Sequence, residues 1–296
     1  MSEVMERFIV DDWITRQEFS QYKECLSNHL NWTKMVSIMR TKYGFVVLID
    51  ALGTKTDSID ASKKYLESVA QIKDDIRRSH KVAADTRIKK EPNVLKNLKT
   101  RFFGDTLLLT YEIKDKSREG ENFEELAFIL RWFLLNALRL RILFRGSISL
   151  GKYLEGGNIV LGPAVFDAAA WYDKLEMIGI IATPRATISL RSIFLEQMEE
   201  TNGKGYWSDG IFYTVPLKGL TPRELYAINW PVCLHSEAES TNTTTNVLFY
   251  ELMRDFPMPF GTEIKFQNTE RFFLDLYQSE EWKEWDSIVK EGEKET

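Results

Sequence analysis

A chain of 296 residues with 44% hydrophobic and 28% charged residues has the composition of a globular protein with one large or two small domains. Its formal net charge of -5 argues against a general nucleic-acid binder. Two distant cysteines, Cys25 and Cys233, suit a reducing cytoplasm, and His29, His80 and His235 have no zinc or haem spacing. The acidic N-terminus lacks a signal-peptide core, and no apolar run reaches the length of a membrane span, so the expectation is a cytoplasmic protein without membrane attachment.

Residues 12 to 40 are expected to be helical. Trp13, Phe19, Tyr22, Leu26 and Leu30 recur at helical spacing, and Trp32, Met35, Val36 and Met39 continue the stripe. The unbroken apolar run Phe45 to Ile49 then reads as a strand buried on both faces. It ends on Asp50, ahead of Ala51-Leu52-Gly53-Thr54-Lys55. A carboxylate there either caps the following turn or helix or serves a site at the sheet edge, since a buried charge is costly when unused. Asp57 or Ser58 caps the next helix, whose apolar face is Tyr65, Leu66, Val69, Ile72 and Ile76. His80 to Leu98, with Arg87-Ile88-Lys89-Lys90 and Pro92, reads as a loop. Its basic run is either a solvated surface or a contact for phosphates.

Lys99 to Tyr111 has apolar flanks around a central Gly104-Asp105, the signature of a hairpin. Its strands are expected to end at Phe103 and to resume at Asp105. Asn122 to Leu140 is a long helix with Leu126, Ile129, Leu130, Phe133, Leu134 and Leu138 in its core stripe, and Phe144 to Leu150 is a strand ending on Gly151. The order strand, helix, strand, strand, helix, strand predicts an α+β fold of the ferredoxin-like βαββαβ type. Right-handed crossover makes the first two strands parallel, so Asp50 and Asp105 meet at one sheet edge. Asp105 is otherwise an ordinary turn residue. Paired with Asp50 it repels a like charge, a conflict that Mg²⁺ or Mn²⁺ removes by binding both carboxylates together with substrate phosphates. Gly53 and Thr54 offer backbone N–H groups to a phosphate, and Gly104 permits close approach.

Beyond residue 190 the expected elements are the end of a short helix at Ile193 to Met198, a turn-rich crossing from Gly203 to Gly210, and strands at Phe212–Val215 and Leu225–Trp230. A Ser/Thr/Asn-rich loop from Ser236 to Asn246 and helices at Val247–Arg254 and Thr269–Ile288 follow. The expected organisation is an N-terminal helical segment (1–40), a catalytic domain (41–195) and a C-terminal extension packed on the core (196–296).

Several short pieces together resemble the class III nucleotidyl cyclases. They are Phe45 to Gly53 with Asp50, Phe103-Gly104-Asp105, Arg145-Gly146-Ser147-Ile148-Ser149-Leu150-Gly151, and Gly162-Pro163-Ala164-Val165 leading to Leu175-Glu176. Within that family the chain looks most like the pyrimidine cyclases of bacterial Pycsar anti-phage systems, with Pro184-Arg185 ahead of a strand as a further likeness. The resemblance covers about residues 44 to 190.

It implies a class III cyclase core that turns a nucleoside triphosphate into a 3′,5′-cyclic monophosphate and pyrophosphate with two divalent ions, Mn²⁺ or Mg²⁺. Asp50 and Asp105 match the catalytic, metal-binding aspartates, and Ala51 matches the residue that adds a backbone carbonyl. Gly53, Thr54 and Lys55 would hold the β- and γ-phosphates. Arg101 stands where purine cyclases often carry a base-reading lysine, and its guanidinium suits a carbonyl-bearing base edge or is a plain surface arginine. Phe166 and Ala170 stand where the family carries an asparagine and an arginine, which leaves Lys174, Arg145 and Lys55 open as the transition-state cation.

The implied product is cyclic UMP from UTP, read by a separate effector. Cyclic CMP is the next alternative, then a purine cyclase, then an inactive nucleotide-binding sensor or scaffold. The family also implies a homodimer with its active site at the interface, where the helix Val165 to Trp171 either lies or packs in the core.

Overall fold

The structure, a computed structural model, describes residues 39–52, 97–103, 105–157, 159–200, 209–254, 256 and 261–278, with a few single positions between 63 and 74. The expected helix at 12–38, most of that at 57–79, most of the loop at 80–98 and of the crossing at 203–210, and the chain after 278 lie outside the described residues. So do Gly53, Thr54, Lys55 and Gly104. The positions described between 63 and 74 are helical.

The described chain forms β1 (Arg40–Leu52), β2 (Leu98–Phe103), β3 (Thr106–Glu112), α1 (Glu119–Arg139), β4 (Leu143–Gly156), β5 (Ile159–Leu161), α2 (Pro163–Trp171) and β6 (Gly179–Ala182). It continues through α3 (Pro184–Glu200), β7 (Gly210–Val215), β8 (Arg223–Ile228), α4 (Val232–Thr241), α5 (Thr245–Arg254) and α6 (Glu263–Gln278). Two compact units are distinguished. Met1–Thr41 and Leu154–Val160 form the smaller, and Lys42–Tyr153 with Leu161–Thr296 the larger.

One sheet has the order β2-β3-β1-β4-β6-β8-β7, with β5 paired to β4. β3 runs antiparallel to both β1 and β2, which makes β1 and β2 parallel. β4 is antiparallel to β1, because Arg145 lies beside Asp50 while Ser149 reaches towards the carbonyl of Val46. The first four strands therefore have the ferredoxin-like order, and the fold is α+β. β6 continues parallel to β4, and β8 and β7 extend the same sheet antiparallel.

Period-two alternation divides the residues between the two faces. Phe45, Val47, Ile49 and Ala51 of β1, Leu107, Leu109 and Tyr111 of β3, and Phe144, Ile148 and Leu150 of β4 join the buried core with the apolar stripe of α1. That stripe holds Phe123, Leu126, Ile129, Leu130, Phe133, Leu134 and Leu138 at helical spacing. Asp50, Leu108 and Thr110, Arg145, Ser147 and Ser149 fall on the opposite face. There α2 is fastened by two hydroxyls: Ser147 Oγ donates to the Ala168 carbonyl at 2.7 Å, and Ser149 Oγ to that of Ala164. The alternation thus sets an apolar face beneath a second face rich in polar and charged groups.

Five expectations are corrected. Arg40 opens β1 rather than closing a helix. The strand after the hairpin starts at Thr106, one residue beyond Asp105. β4 does not stop at Gly151 but runs to Gly156, because Tyr153 and Glu155 keep the buried alternation going. Pro184-Arg185 opens a helix, not a strand. Thr183 caps it by accepting from the Ala186 N–H at 3.3 Å, Pro184 needs no donor in the first turn, and Ala186, Leu190 and Phe194 bury one stripe. The polar stretch Ser236 to Asn246 is mostly helical, since it holds the end of α4 and the start of α5. Its threonines act as helix ends: Thr244 Oγ1 accepts from the Val247 N–H at 3.3 Å, and His235 Nδ1 meets Thr245 Oγ1 at 3.3 Å.

The C-terminal helices bury a second aromatic layer. Phe249 stacks on Phe273 with centroids 4.0 Å apart, and Trp230 stacks on Phe249. Thr269 Oγ1 of α6 accepts from the Ile178 N–H at 2.8 Å, and Asn268 Nδ2 donates to the Glu176 carbonyl, which ties α6 to the lead-in of β6.

Candidate active site

The candidate site lies where β1 ends, the β2–β3 hairpin turns and β4 begins. In the β1–β3 register Asp50 is opposite Thr106, and the Ala51 N–H donates to the Asp105 carbonyl at 3.3 Å. Asp50 and Asp105, 55 positions apart in sequence, are thus neighbours at one sheet edge. Phe103 pairs with Thr106, and Asp105 directly precedes β3 on the turn of the hairpin. The pairing of β1 with both β3 and β4 is what fixes this meeting, and the apolar run Phe45 to Ile49 is what buries those pairings.

Asp50 is half-buried, and burial pushes its carboxyl above the ordinary carboxylate range. The charges of Asp105 and Asp173 push the same way, while the hydrogen bond and charge of Arg145 oppose them. Arg145 Nη2 lies 3.2 Å from Asp50 Oδ2, with side-chain exposures of 15% and 18%. Arg145 Nη1 donates to the Asp173 carbonyl at 2.8 Å, and its Nε is buried without a hydrogen-bond partner. Lys174 pairs with Asp173 at 3.3 Å.

Arg101 sits on β2 opposite Leu108 and donates from Nη1 to Thr110 Oγ1 at 3.5 Å, on the face that carries Asp50. Phe166 of α2 is 61% exposed and Ala170 is also exposed, whereas Ala164 and Ala168 are buried against β4. The helix Val165 to Trp171 therefore packs through its small residues and leaves Phe166 in solvent.

The donor chemistry fits a hard divalent cation. Two carboxylates at one strand edge, one of them pushed up by burial, supply oxygen ligands, and a cation would relieve their repulsion. Among the described residues no group of three His, Cys, Asp or Glu side chains is arranged to hold a metal on its own. Any ion here would complete its shell with backbone oxygen, water or phosphate, as magnesium-type sites do.

Arg145 and Asp173 are the members that sequence reasoning missed as a linked pair. Arg145 opens a recognisable strand motif, but its place beside Asp50 depends on the β1–β4 register, and its bond to Asp173 on how the chain leaves α2, which no local pattern encodes.

No protein-family model matches the chain, and no curated protein matches it. Among solved structures, the adenylyl cyclase CyaB from P. aeruginosa is similar at a TM-score of 0.37 and 10% identity, over 64% of this chain and 95% of that one. A bacterial light-regulated adenylyl cyclase is similar at a TM-score of 0.36 and 12% identity, over 73% and 98% of the respective chains. Among the described residues no helix is long and apolar enough to cross a membrane.

Proposed function

We propose that the chain is a nucleotidyl cyclase that converts UTP to 3′,5′-cyclic UMP and pyrophosphate, an anti-phage second messenger read by a separate effector. The observation that carries the reading is the adjacency of Asp50 and Asp105, each delivered by a different strand end to one half-buried edge. The resemblance of the strand and hairpin motifs to the pyrimidine cyclases of Pycsar systems supports the choice of substrate class.

In this reading Asp50, Asp105 and the Ala51 carbonyl hold two divalent ions. Such ions, when bound, lower the pKa of a ribose 3′-hydroxyl and stabilise charge at an α-phosphate during in-line displacement. The chain's own residues do the positioning. The β1–β3 ladder fixes the spacing of the aspartates, and α2 closes the face beside them through Ser147 and Ser149. Arg101 on the same face has a planar fork suited to a carbonyl-bearing base edge. Gly53 to Lys55 and Gly104 take the phosphates, and a homodimer completes the active site.

The test is incubation of the full chain with each of the four ribonucleoside triphosphates and Mn²⁺, followed by product identification. Cyclic UMP from UTP alone is the expected result. Cyclic CMP or a purine product moves the base assignment, and tight nucleotide binding without product establishes a sensor or scaffold instead. Asp50→Ala and Asp105→Ala each abolish turnover while preserving the circular dichroism spectrum. Near-normal activity in either variant overturns the metal assignment.

A further inference from the structure

We propose that Arg145 is the resident counter-cation of Asp50, a positioning residue that competes with the first divalent ion for that carboxylate and so makes ion binding depend on the nucleotide. The inference rests on the reading of Asp50 as a metal ligand.

The geometry supplies the argument. Arg145 comes from the start of β4 and Asp50 from the end of β1, and the antiparallel pairing of those strands fixes one beside the other. Among the described residues Arg145 is the only hydrogen-bond donor to the Asp50 carboxylate, and it bonds a single oxygen, Oδ2. The guanidinium is anchored from behind by the Asp173 carbonyl at 2.8 Å. It is not fully satisfied there, because its Nε–H is buried without an acceptor. A fork of five donors that is partly unmet and only partly exposed is held by charge more than by complete hydrogen bonding.

An ion bound to the same carboxylate would share it with this guanidinium, and like charges so placed repel appreciably at the effective dielectric of a protein edge. Asp50 therefore cannot serve both cations at full strength. The surplus positive charge is offset when a triphosphate arrives, since its oxygens accept from the ion and from an arginine fork alike. Ion and nucleotide then favour each other's binding, and the coupling is reciprocal. Without nucleotide, Arg145 keeps Asp50 oriented and neutralised and holds ion affinity low.

The experiment is a Mn²⁺ titration of the metal-free full-length protein, with unbound Mn²⁺ read by its electron paramagnetic resonance signal. No turnover is needed. Arg145→Gln is expected to bind Mn²⁺ at least about tenfold more tightly than the wild type without nucleotide. With a nonhydrolysable UTP analogue present, the difference narrows to about threefold or less. Equal or weaker Mn²⁺ binding by folded Arg145→Gln overturns the proposal. Should that variant fail to fold, Arg145→Lys takes its place, because an ammonium cannot span Asp50 and the Asp173 carbonyl together. Its Mn²⁺ affinity is expected to rise at least about twofold, and an unchanged or weaker affinity overturns the proposal. Asp50→Asn separates the two readings. Loss of Mn²⁺ binding there, with unchanged binding in Arg145→Gln, sinks the role of Arg145 alone. Unchanged binding in Asp50→Asn sinks the metal assignment and this inference with it.

Discussion

Gly146 is the position where the fold and the candidate site are most directly coupled, and Gly146→Ala measures that coupling. A Cβ at Gly146 would stand 2.5 Å from the Leu48 carbonyl oxygen and 3.2 Å from Ile49 Cα. Both obstacles belong to the backbone of β1, so no side chain can swing aside. Restoring ordinary contact of about 3.4 Å needs β1 and β4 to part locally by nearly 1 Å. Overpacking of this kind typically costs about 1–3 kcal/mol, against which a strand alanine recovers about 0.5–1 kcal/mol of chain entropy. A net loss of about 1–2 kcal/mol is expected, which lowers Tm by about 2–8 °C in a chain of this size. The separation falls one residue from Arg145 and two from Asp50, so turnover drops by more than the stability loss explains. Gly151→Ala on the same strand is the control, because its Cβ would lie 3.6 Å from Ala164 Cβ in ordinary contact. Differential scanning calorimetry of the two variants decides the matter. A Tm for Gly146→Ala within 1 °C (about 0.5 kcal/mol) of the wild type would refute the claim that β1 and β4 are in closest approach there.

Arg101→Ala is expected to raise KM for UTP about tenfold with Tm unchanged, and unaltered kcat/KM for all four triphosphates would remove Arg101 from base recognition. Phe273→Ala should cost about 3–5 kcal/mol by urea unfolding, since this fully buried ring stacks on Phe249; a cost below about 1 kcal/mol contradicts the packing. Burial pushes the Cys233 thiol up to about 12, from an ordinary value near 9. The folded chain therefore holds that proton where the unfolded chain has lost it, and this group's contribution to stability is full below pH 9 and falls as the pH rises from 9 to 12. The slope is about 1.4 kcal/mol per pH unit. Cys233→Val should remove that part of the alkaline loss in urea titrations between pH 8 and 11, and an identical slope in both proteins would show that the thiol is not the group responsible.

The parts of the fold that were legible in sequence are those where one local rule dominates. Phe45 to Ile49 is too apolar to be anything but interior, the Gly104-Asp105 pair interrupts two apolar runs, and the stripe from Leu126 to Leu138 has room for one helical face only. The misread stretches are those where polar residues carry a capping role. Thr183 and Thr244 look like loop composition, yet each accepts a backbone N–H at the start of a helix. The buried faces behind them are short, Ala186, Leu190 and Phe194 in one case and Thr245 and Phe249 in the other. A short stripe gives a weak periodic signal, and the surrounding Ser, Thr and Glu residues drown it. The extra length of β4 was hidden for a related reason. Gly151 reads as a stop, but β4 continues past it because Tyr153 and Glu155 stay buried.

The candidate site divides along the same line. Asp50 and Asp105 were legible as a pair because strand order and crossover handedness, which local sequence can suggest, are enough to bring two strand ends to one edge. Arg145 was legible only as a cation with no assigned place. Its position beside Asp50 depends on the β1–β4 register, and a slip of one residue would turn the same arginine towards α1 and the core. What holds the register is apolar packing on one face and hydrogen bonding on the other: Ile148 and Leu150 on the α1 side, and the Ser147 and Ser149 hydroxyls reaching α2. Tight packing at Gly146 then sets the strand separation at the charged pair. The electrostatics of this edge is thus a consequence of how the strands pack, and for that reason a single methyl group at Gly146, which carries no charge, is expected to change it.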